Sequence, residues 1–246
     1  MARTVRLTIA YDGTGFVGWQ RQETGESIQG LIEDALGRIE GNAVTLHGAG
    51  RTDAGVHAIA QTASARIHAA LDDDTLTRAL NANLPPAIRV SGVETVPDDF
   101  HARFSATGKT YEYRIWNGPA IPPFIRLYAW HVPQPLDLAR MNHASHDIVG
   151  EHDFAAFQGT GTRTHSTVRR VTSAQWRADG AAVTFEISGA GFLRHMVRSL
   201  AGTLVEVGHG RRMVGDLARL LAAPDRAEAG RTAPPQGLFL VSVLYN

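Results

Sequence analysis

One loop in the first quarter of the chain carries a cation, a hydroxyl, a carboxylate and an imidazole. It spans Gly48 to Ala58, and its chemical groups are Arg51, Thr52, Asp53 and His57. The glycines among them give the backbone access to positive φ and allow another molecule to approach closely. A tight turn in which Asp53 caps its own backbone is the structural alternative. Because binding and catalytic groups are commonly carried on loops held by a rigid sheet, the composition favours a reactive site around Asp53.

The elements around this loop predict a ferredoxin-like unit in the first hundred residues. Apolar runs at 43–46 and 61–67 predict strands on either side of the loop. Ser27 is the expected N-cap of a helix that Gly41-Asn42 ends. A strand over 5–10, a helix over 72–83 and a strand over 88–96 complete the order β-α-β-β-α-β.

The rest of the chain predicts a second set of strands and helices. Residues 109–116 alternate as a strand with Tyr111 on its apolar face, and residues 117–135 hold five of the eleven prolines. Those prolines mark a connecting segment. The remaining pattern predicts strands over 168–176, 182–188 and 238–244, and helices over 136–149, 192–207 and 214–221.

Composition excludes several classes of protein. The 246 residues contain no cysteine, so disulfides and thiolate metal sites are excluded. No apolar run has the length of a signal peptide or a membrane span, and cytoplasm is the expected location. The formal net charge is zero, yet 23 of the 24 cations are arginine. Genomic composition bias explains that excess, while arginine also suits contacts with phosphates and bases.

Two motifs suggest ligands that we do not expect. Residues 13–18 form Gly-x-Gly-x-x-Gly after a strand, but a polar stretch follows them instead of a helix, so no nucleotide cofactor is expected. His143, His146 and His152 invite a zinc hypothesis. The first two are spaced i, i+3 instead of the i, i+4 of the HExxH motif, and no cysteine supports them. A solvated polar face is the favoured interpretation, so no metal is expected.

Five blocks of the sequence, in order, resemble the TruA family of tRNA pseudouridine synthases. They are YDGTGFVGWQ, GRTDAGVHA, FSATGKTYEYRIWN, GFLRHMVRSLAGTLVEVG and GLFLVSV. The resemblance implies an α/β (α+β) fold of two similar ferredoxin-like or RRM-like halves, whose antiparallel sheets form a central cleft. A strand followed by Gly-x-Gly-Phe occurs in both halves, which a duplicated fold and chance explain equally. The predicted halves are residues 1–103, with the catalytic loop, and 104–246, with the connecting segment 117–135.

The same resemblance assigns roles to individual residues. Asp53 matches the catalytic aspartate, and Arg198 the arginine that pairs with it. Tyr111 matches the tyrosine against the target base, and Leu238 an apolar residue of the pocket wall. Arg51, two residues before Asp53, is expected to hold the flipped nucleotide, with a structural ion pair as the alternative. The resemblance leaves three roles open for the carboxylate on the target uridine: attack at C1′, attack at C6, or proton abstraction at C2′.

The implied activity is isomerisation of uridine to pseudouridine in the anticodon stem-loop of tRNA, about positions 38 to 40. The implied partner is tRNA, the working unit is a homodimer, and no cofactor is required. Two alternatives are an RNA-binding protein without catalysis and a nucleoside-cleaving hydrolase. The presence of Asp53 opposes the first alternative. The second usually needs two flanking carboxylates, and this loop supplies one.

Overall fold

The computed structural model describes residues 2–161 and 164–246, and these residues form two compact units. The first unit comprises the chain up to Thr107 together with Phe239–Asn246, and the second comprises Gly108–Leu238. The halves expected from the sequence, 1–103 and 104–246, have different limits because the last strand pairs within the first unit. As independently folding domains, those halves stay a prediction.

The first unit has the strand order of a ferredoxin-like sheet. β1 (Arg3–Tyr11) lies between β3 (His57–Ile67) and β4 (Ile88–Val96) and is antiparallel to both. The two-residue strand β2 (His47–Gly48) pairs with β3, which gives the order β4-β1-β3-β2. The last strand, β10 (Leu238–Tyr245), runs parallel to β3 where Phe239 pairs with His57. This mixed α/β architecture confirms the fold class predicted from the sequence.

Two helices cover the sheet of the first unit, and both begin at a capping side chain. α1 (Ile28–Glu40) follows Ser27, whose hydroxyl accepts a hydrogen bond from the Gly30 N–H at 3.2 Å, and it ends at Gly41 with φ 72°. α2 (Asp73–Asn83) follows Asp72, whose carboxylate accepts the Thr75 N–H at 2.7 Å. Caps of this kind typically contribute about 1 kcal/mol to helix stability. The predicted N-cap at Ser27 and the stop at Gly41 are confirmed.

The strand predicted over 43–46 is wrong. Those residues form an irregular segment, and β2 begins only at His47. Helix side chains satisfy the backbone of Leu46: its N–H donates to Glu33 at 3.1 Å, and its carbonyl accepts from Gln29 at 3.0 Å. Leu46 is therefore buried and hydrogen-bonded to α1 instead of joining the sheet, while the three residues before it are exposed or half-buried.

The long strands of the second unit also pair antiparallel to one another. β5 (Ala106–Trp116) enters this unit from the first one, and β9 (Ala182–Gly189) lies between β5 and β8 (Val168–Asp179). β7 (Gly150–Asp153) extends the sheet beyond β8, and β6 (Trp130–His131) pairs in parallel with β5. Apart from β6, β7, the short helix Asp216–Ala222 and two 3₁₀ turns, the order along the chain is β5, α3 (Leu138–His146), β8, β9, α4 (Met196–Gly208) and β10. This order repeats that of the first unit, as expected of similar halves.

The helices of the second unit are shorter than the sequence predicts. α3 is Leu138–His146, capped by Asp137, and α5 is Asp216–Ala222. α4 is Met196–Gly208, four residues shorter at its start than the predicted helix. His195 precedes it with φ 64°, a left-handed conformation that cannot continue a right-handed helix. Within residues 2–161 and 164–246, no helix is long and apolar enough to cross a membrane.

Candidate active site

The loop that carries Asp53 connects β2 to β3 across residues 49–56. Arg51 is exposed, Asp53 is part-exposed, and Thr52 between them is buried. The N–H of Val56 donates to the Asp53 carbonyl at 3.1 Å and closes a turn in which Gly55 has φ 74°. The loop thus combines a partly accessible carboxylate with a backbone fixed by local hydrogen bonds.

Thr52, the residue before Asp53, is held by both its side chain and its backbone. Its hydroxyl lies 2.8 Å from the hydroxyl of Tyr11, and its carbonyl accepts the Trp19 N–H at 3.0 Å. Tyr11 is the last residue of β1, so the loop is tied directly to the middle of the sheet. Burial raises the pKa of Tyr11 despite its hydrogen bond to Thr52, so this phenol stays protonated at neutral pH.

Two glycines of the Gly-x-Gly-x-x-Gly motif form a surface against which this loop packs. A Cβ placed on Gly13 would lie 2.1 Å from the Val56 carbonyl oxygen. A Cβ on Gly18 would lie 2.7 Å from the Thr52 carbonyl oxygen, and Gly18 also has φ 107°. The motif therefore permits close approach of the Asp53 loop, and α1 begins ten residues after Gly18, at Ile28.

His57 holds the other end of the loop, a role that sequence reasoning did not identify. Its Nδ1 accepts the Gly13 N–H at 3.0 Å and lies 3.2 Å from a carboxylate oxygen of Asp12. Its ring stacks on Phe239, with ring centroids 4.6 Å apart. The His57 side chain is almost fully buried, so its function in the described structure is to join β3, the first-strand loop and β10.

Tyr111 lies on β5 of the second unit with 8 % of its surface exposed. It pairs in register with Ile187 of β9, and its ring contacts Phe192 edge-on at 5.1 Å between centroids. The predicted alternation is confirmed, because Tyr111, Tyr113 and Ile115 are all buried while their neighbours are partly exposed.

Arg198 and Leu238 also belong to the second unit. Arg198 lies in the first turn of α4, and its Nε donates to the Ala233 carbonyl at 2.8 Å. The Arg198 carbonyl accepts the Ala233 N–H in return, at 3.0 Å, so the segment before β10 docks on α4. Leu238 follows that segment as the first residue of β10 and is buried. Burial raises the pKa of Tyr113, with Arg198 and Arg231 acting in the opposite direction.

The histidines that suggested a metal are spread over two elements. His143 and His146 lie on α3, whereas His152 lies on β7, where its Nε2 is 3.1 Å from the Val149 carbonyl. Among the residues that the structure describes, no group of three histidine or carboxylate side chains is arranged to hold a metal ion.

Comparison with known proteins decides the family. A family model described as tRNA pseudouridine synthase matches residues 7–105 and 144–246, well over half of the chain. The chain belongs to the tRNA pseudouridine synthase family. The matched ranges include Asp53, Arg51, Arg198 and Leu238, whereas Tyr111 lies between them.

Relatives within this tRNA pseudouridine synthase family are similar over their whole length. A protein of Solidesulfovibrio magneticus named tRNA pseudouridine synthase A is 48% identical, over 100% of this chain and 92% of its own. A protein of the same name from Geobacter sulfurreducens is 43% identical, over 99% and 100% of the two chains. These relatives confirm the resemblance read from the sequence. The roles of the individual site residues stay predictions.

Proposed function

We propose that this protein isomerises uridine to pseudouridine in tRNA, with Asp53 as the catalytic carboxylate. One observation carries the proposal: a part-exposed carboxylate, in a loop fixed on both sides, lies in a chain similar over its full length to tRNA pseudouridine synthases. Fixing a reactive group in place is a large part of what an active site supplies. The hydrogen bonds at Thr52 and Val56 provide that fixation in this loop.

The proposed reaction rearranges the substrate without adding atoms. The bond from uracil N1 to ribose C1′ breaks, a bond from C5 to C1′ forms, N1 gains a proton and C5 loses one. Electrons and atoms balance within the nucleotide, so the reaction requires no oxidant, metal ion or nucleotide cofactor. A carboxylate can act in it as a nucleophile or as a base.

We assign Arg51, Tyr111, Arg198 and Leu238 to binding of the target nucleotide, on the basis of the family resemblance. Chemistry on a base within a helical stem requires extrusion of the nucleotide, which costs a few kcal/mol. An exposed guanidinium at Arg51 suits the phosphate, and an aromatic ring at Tyr111 suits stacking on uracil.

Nucleoside analysis of tRNA after incubation with the protein tests the reaction. We expect pseudouridine to appear as uridine disappears, with no free base. Free uracil would instead identify a nucleoside-cleaving hydrolase. Tight binding with unchanged nucleosides would identify an RNA-binding protein without catalysis, and either result overturns the proposal.

The finer specificity is also part of the proposal. We place the target in the anticodon stem-loop, at about positions 38 to 40, and expect transcripts with cytidine at those three positions to remain unmodified. We further propose a homodimer that works in the cytoplasm. Light scattering would show twice the 26.5 kDa mass of one chain. A monomer with full activity would contradict the proposed homodimer and leave the proposed reaction standing.

A further inference from the structure

We propose that the hydroxyl groups of Tyr11 and Thr52 form a positioning pair that holds the Asp53 carboxylate where it reacts. The inference rests on the proposed function, since it assigns a role in that same reaction. Neither residue is expected to touch the substrate, because both are more than nine-tenths buried. Tyr11 and Thr52 are therefore positioning residues that act through Asp53.

The pair lies directly beside the catalytic loop residue Asp53. Thr52 directly precedes Asp53, and its Oγ1 lies 2.8 Å from the phenol oxygen of Tyr11. Tyr11 belongs to β1, where it is paired on both sides, with Ala58 of β3 and Ile88 of β4. The hydrogen bond therefore joins the residue beside the carboxylate to a strand that is paired on both sides.

The surroundings of the pair leave the loop little freedom to shift. The Trp19 N–H holds the carbonyl of Thr52, and this carbonyl lies so close to Gly18 that a Cβ at that position would be 2.7 Å from its oxygen. Gln61, which is fully buried, donates to the Gly50 carbonyl at 2.9 Å and also interacts with the Tyr11 hydroxyl. Gly50 and Thr52, which flank Arg51, are thus both linked to the phenol of Tyr11, Thr52 directly and Gly50 through Gln61.

The burial of Tyr11 argues for positioning over proton transfer. Only 4 % of the residue is exposed, and burial raises the pKa of the phenol, which makes it a weaker acid than a free phenol. A buried hydroxyl that keeps its proton acts as a hydrogen-bond donor and acceptor of fixed geometry. Phenylalanine and valine would fill the same space as Tyr11 and Thr52. The requirement for a fixed hydrogen bond explains why this buried place holds two hydroxyl groups instead.

The decisive variant removes both hydroxyls together. Replacing both partners of a buried hydrogen bond by apolar groups of the same shape is close to neutral for stability, whereas replacing one leaves the other unsatisfied. Tyr11→Phe combined with Thr52→Val therefore separates a structural role from a positioning role, since Gln61, the other partner of the phenol, keeps its hydrogen bonds to the Gly50 carbonyl and the Thr62 N–H. Thr52→Ser retains the hydroxyl and is the conservative control.

The experiment measures single-turnover pseudouridine formation at saturating enzyme, tRNA affinity and melting temperature for these variants. We expect the double variant to fold and to bind tRNA as the wild type does, while its rate falls by roughly 10- to 100-fold, the loss typical of a displaced reactive group. Thr52→Ser is expected to retain most of the rate. The single variants Tyr11→Phe and Thr52→Val are expected to lose no less than the double variant, since one interaction is broken in all three.

A double variant with the wild-type rate would overturn the positioning role, because the pair would then serve stability alone. A rate loss in Thr52→Ser equal to that in Thr52→Val would also overturn it, since the hydroxyl would not be what matters. If the proposed function itself is wrong, the wild-type protein will form no pseudouridine. That outcome differs from both results above, in which the wild-type protein is active.

Discussion

Among single residues, Tyr111 separates a role in catalysis from a role in packing. It is 8 % exposed and contacts Phe192 edge-on, so part of its ring serves the core of the second unit. The family resemblance assigns its ring and hydroxyl to the target base. Substitutions that remove the hydroxyl alone, or the ring as well, test these roles separately.

We expect Tyr111→Phe to fold normally and to lose most of its single-turnover rate, since the ring stays and only the proton-carrying group is removed. Tyr111→Leu is expected to be impaired at least as strongly, since base–aromatic stacking contributes about 1–3 kcal/mol. Rate and melting temperature should be measured together for both variants. A Tyr111→Phe protein with the wild-type rate would exclude the hydroxyl from the reaction.

Sequence reasoning identified Asp53 and Arg51 because their loop concentrates reactive groups among glycines. It named Thr52 and His57 only as members of that loop and did not single out Tyr11, because the roles of these three residues lie in contacts between positions far apart in the chain. Tyr11 reaches Thr52 over 41 positions and Gly13 reaches His57 over 44. Neither local periodicity nor the composition of the loop indicates such a contact.

Among the structural elements, the segment after β1 determines how closely the Asp53 loop can pack. Gly15 and Gly18 both have positive φ, but only Gly18 lies against the loop backbone. No other atom lies within 4 Å of a Cβ built on Gly15. The two glycines are therefore a matched pair for testing whether the close approach matters.

Gly18→Ala is expected to be the more destabilising substitution. A left-handed backbone costs a non-glycine residue roughly 1–2 kcal/mol, which applies to both positions. Gly18→Ala adds an overlap with the Thr52 carbonyl, and overpacking of this kind costs typically 1–3 kcal/mol more. Urea unfolding and the rate of pseudouridine formation provide the comparison. Equal losses in Gly15→Ala and Gly18→Ala would show that the loop does not rest on Gly18.

Element prediction succeeded where a local signal decides the structure and failed where a distant contact does. Ser27 and Gly41 mark the limits of α1 because capping is local chemistry. Leu46 and its neighbours have the apolar pattern of a strand, but Gln29 and Glu33 of α1 take the hydrogen bonds that a sheet would supply. The start of α4 was misplaced because nothing in the sequence indicates that His195 adopts positive φ.

For the whole molecule, stability should decline on mild acidification because of one histidine in each unit. Burial, followed by the nearby His47 and Arg103, lowers the pKa of His101 below its ordinary 6.5. Burial, followed by Arg211, lowers that of His209. The unfolded chain therefore binds these protons at a higher pH than the folded protein does. The stability that these two neutral histidines contribute is complete above about pH 6.5, and it is lost as the pH falls toward their pKa in the folded protein.

Melting temperatures from about pH 8 down to about pH 5 measure this effect. We expect the wild-type protein to lose stability below about pH 6.5 more steeply than a His101→Gln, His209→Gln double variant. An equally steep decline in both proteins would assign the acid sensitivity to other groups.

The charge distribution of the whole chain leads to a prediction about tRNA binding. The formal net charge is zero, so long-range attraction of the protein as a whole for RNA is weak. Binding must then depend on local arginines, and affinity should fall by about one log unit per log unit of salt for each phosphate neutralised. We expect Arg51→Gln to weaken binding and to reduce this slope by about one.

Arg78→Gln is the matched control, because Arg78 is exposed on α2 and donates to Thr75 of the same helix. It should leave both affinity and slope unchanged. A binding constant of the wild-type protein that is indifferent to salt would contradict the electrostatic account, and composition bias would then suffice to explain the 23 arginines.

The central claim is that the Asp53 carboxylate carries out an isomerisation at uridine C5. Tritium release from tRNA labelled at uridine C5 measures that event directly, because the label is freed only when C5 exchanges its hydrogen for the bond to C1′. Asp53→Asn keeps the size of the side chain and removes its capacity to act as a base or nucleophile. We expect the wild-type protein to release tritium in step with pseudouridine formation, and Asp53→Asn to release none while it binds tRNA comparably. Tritium release by the Asp53→Asn protein at a measurable rate would contradict the assignment of Asp53.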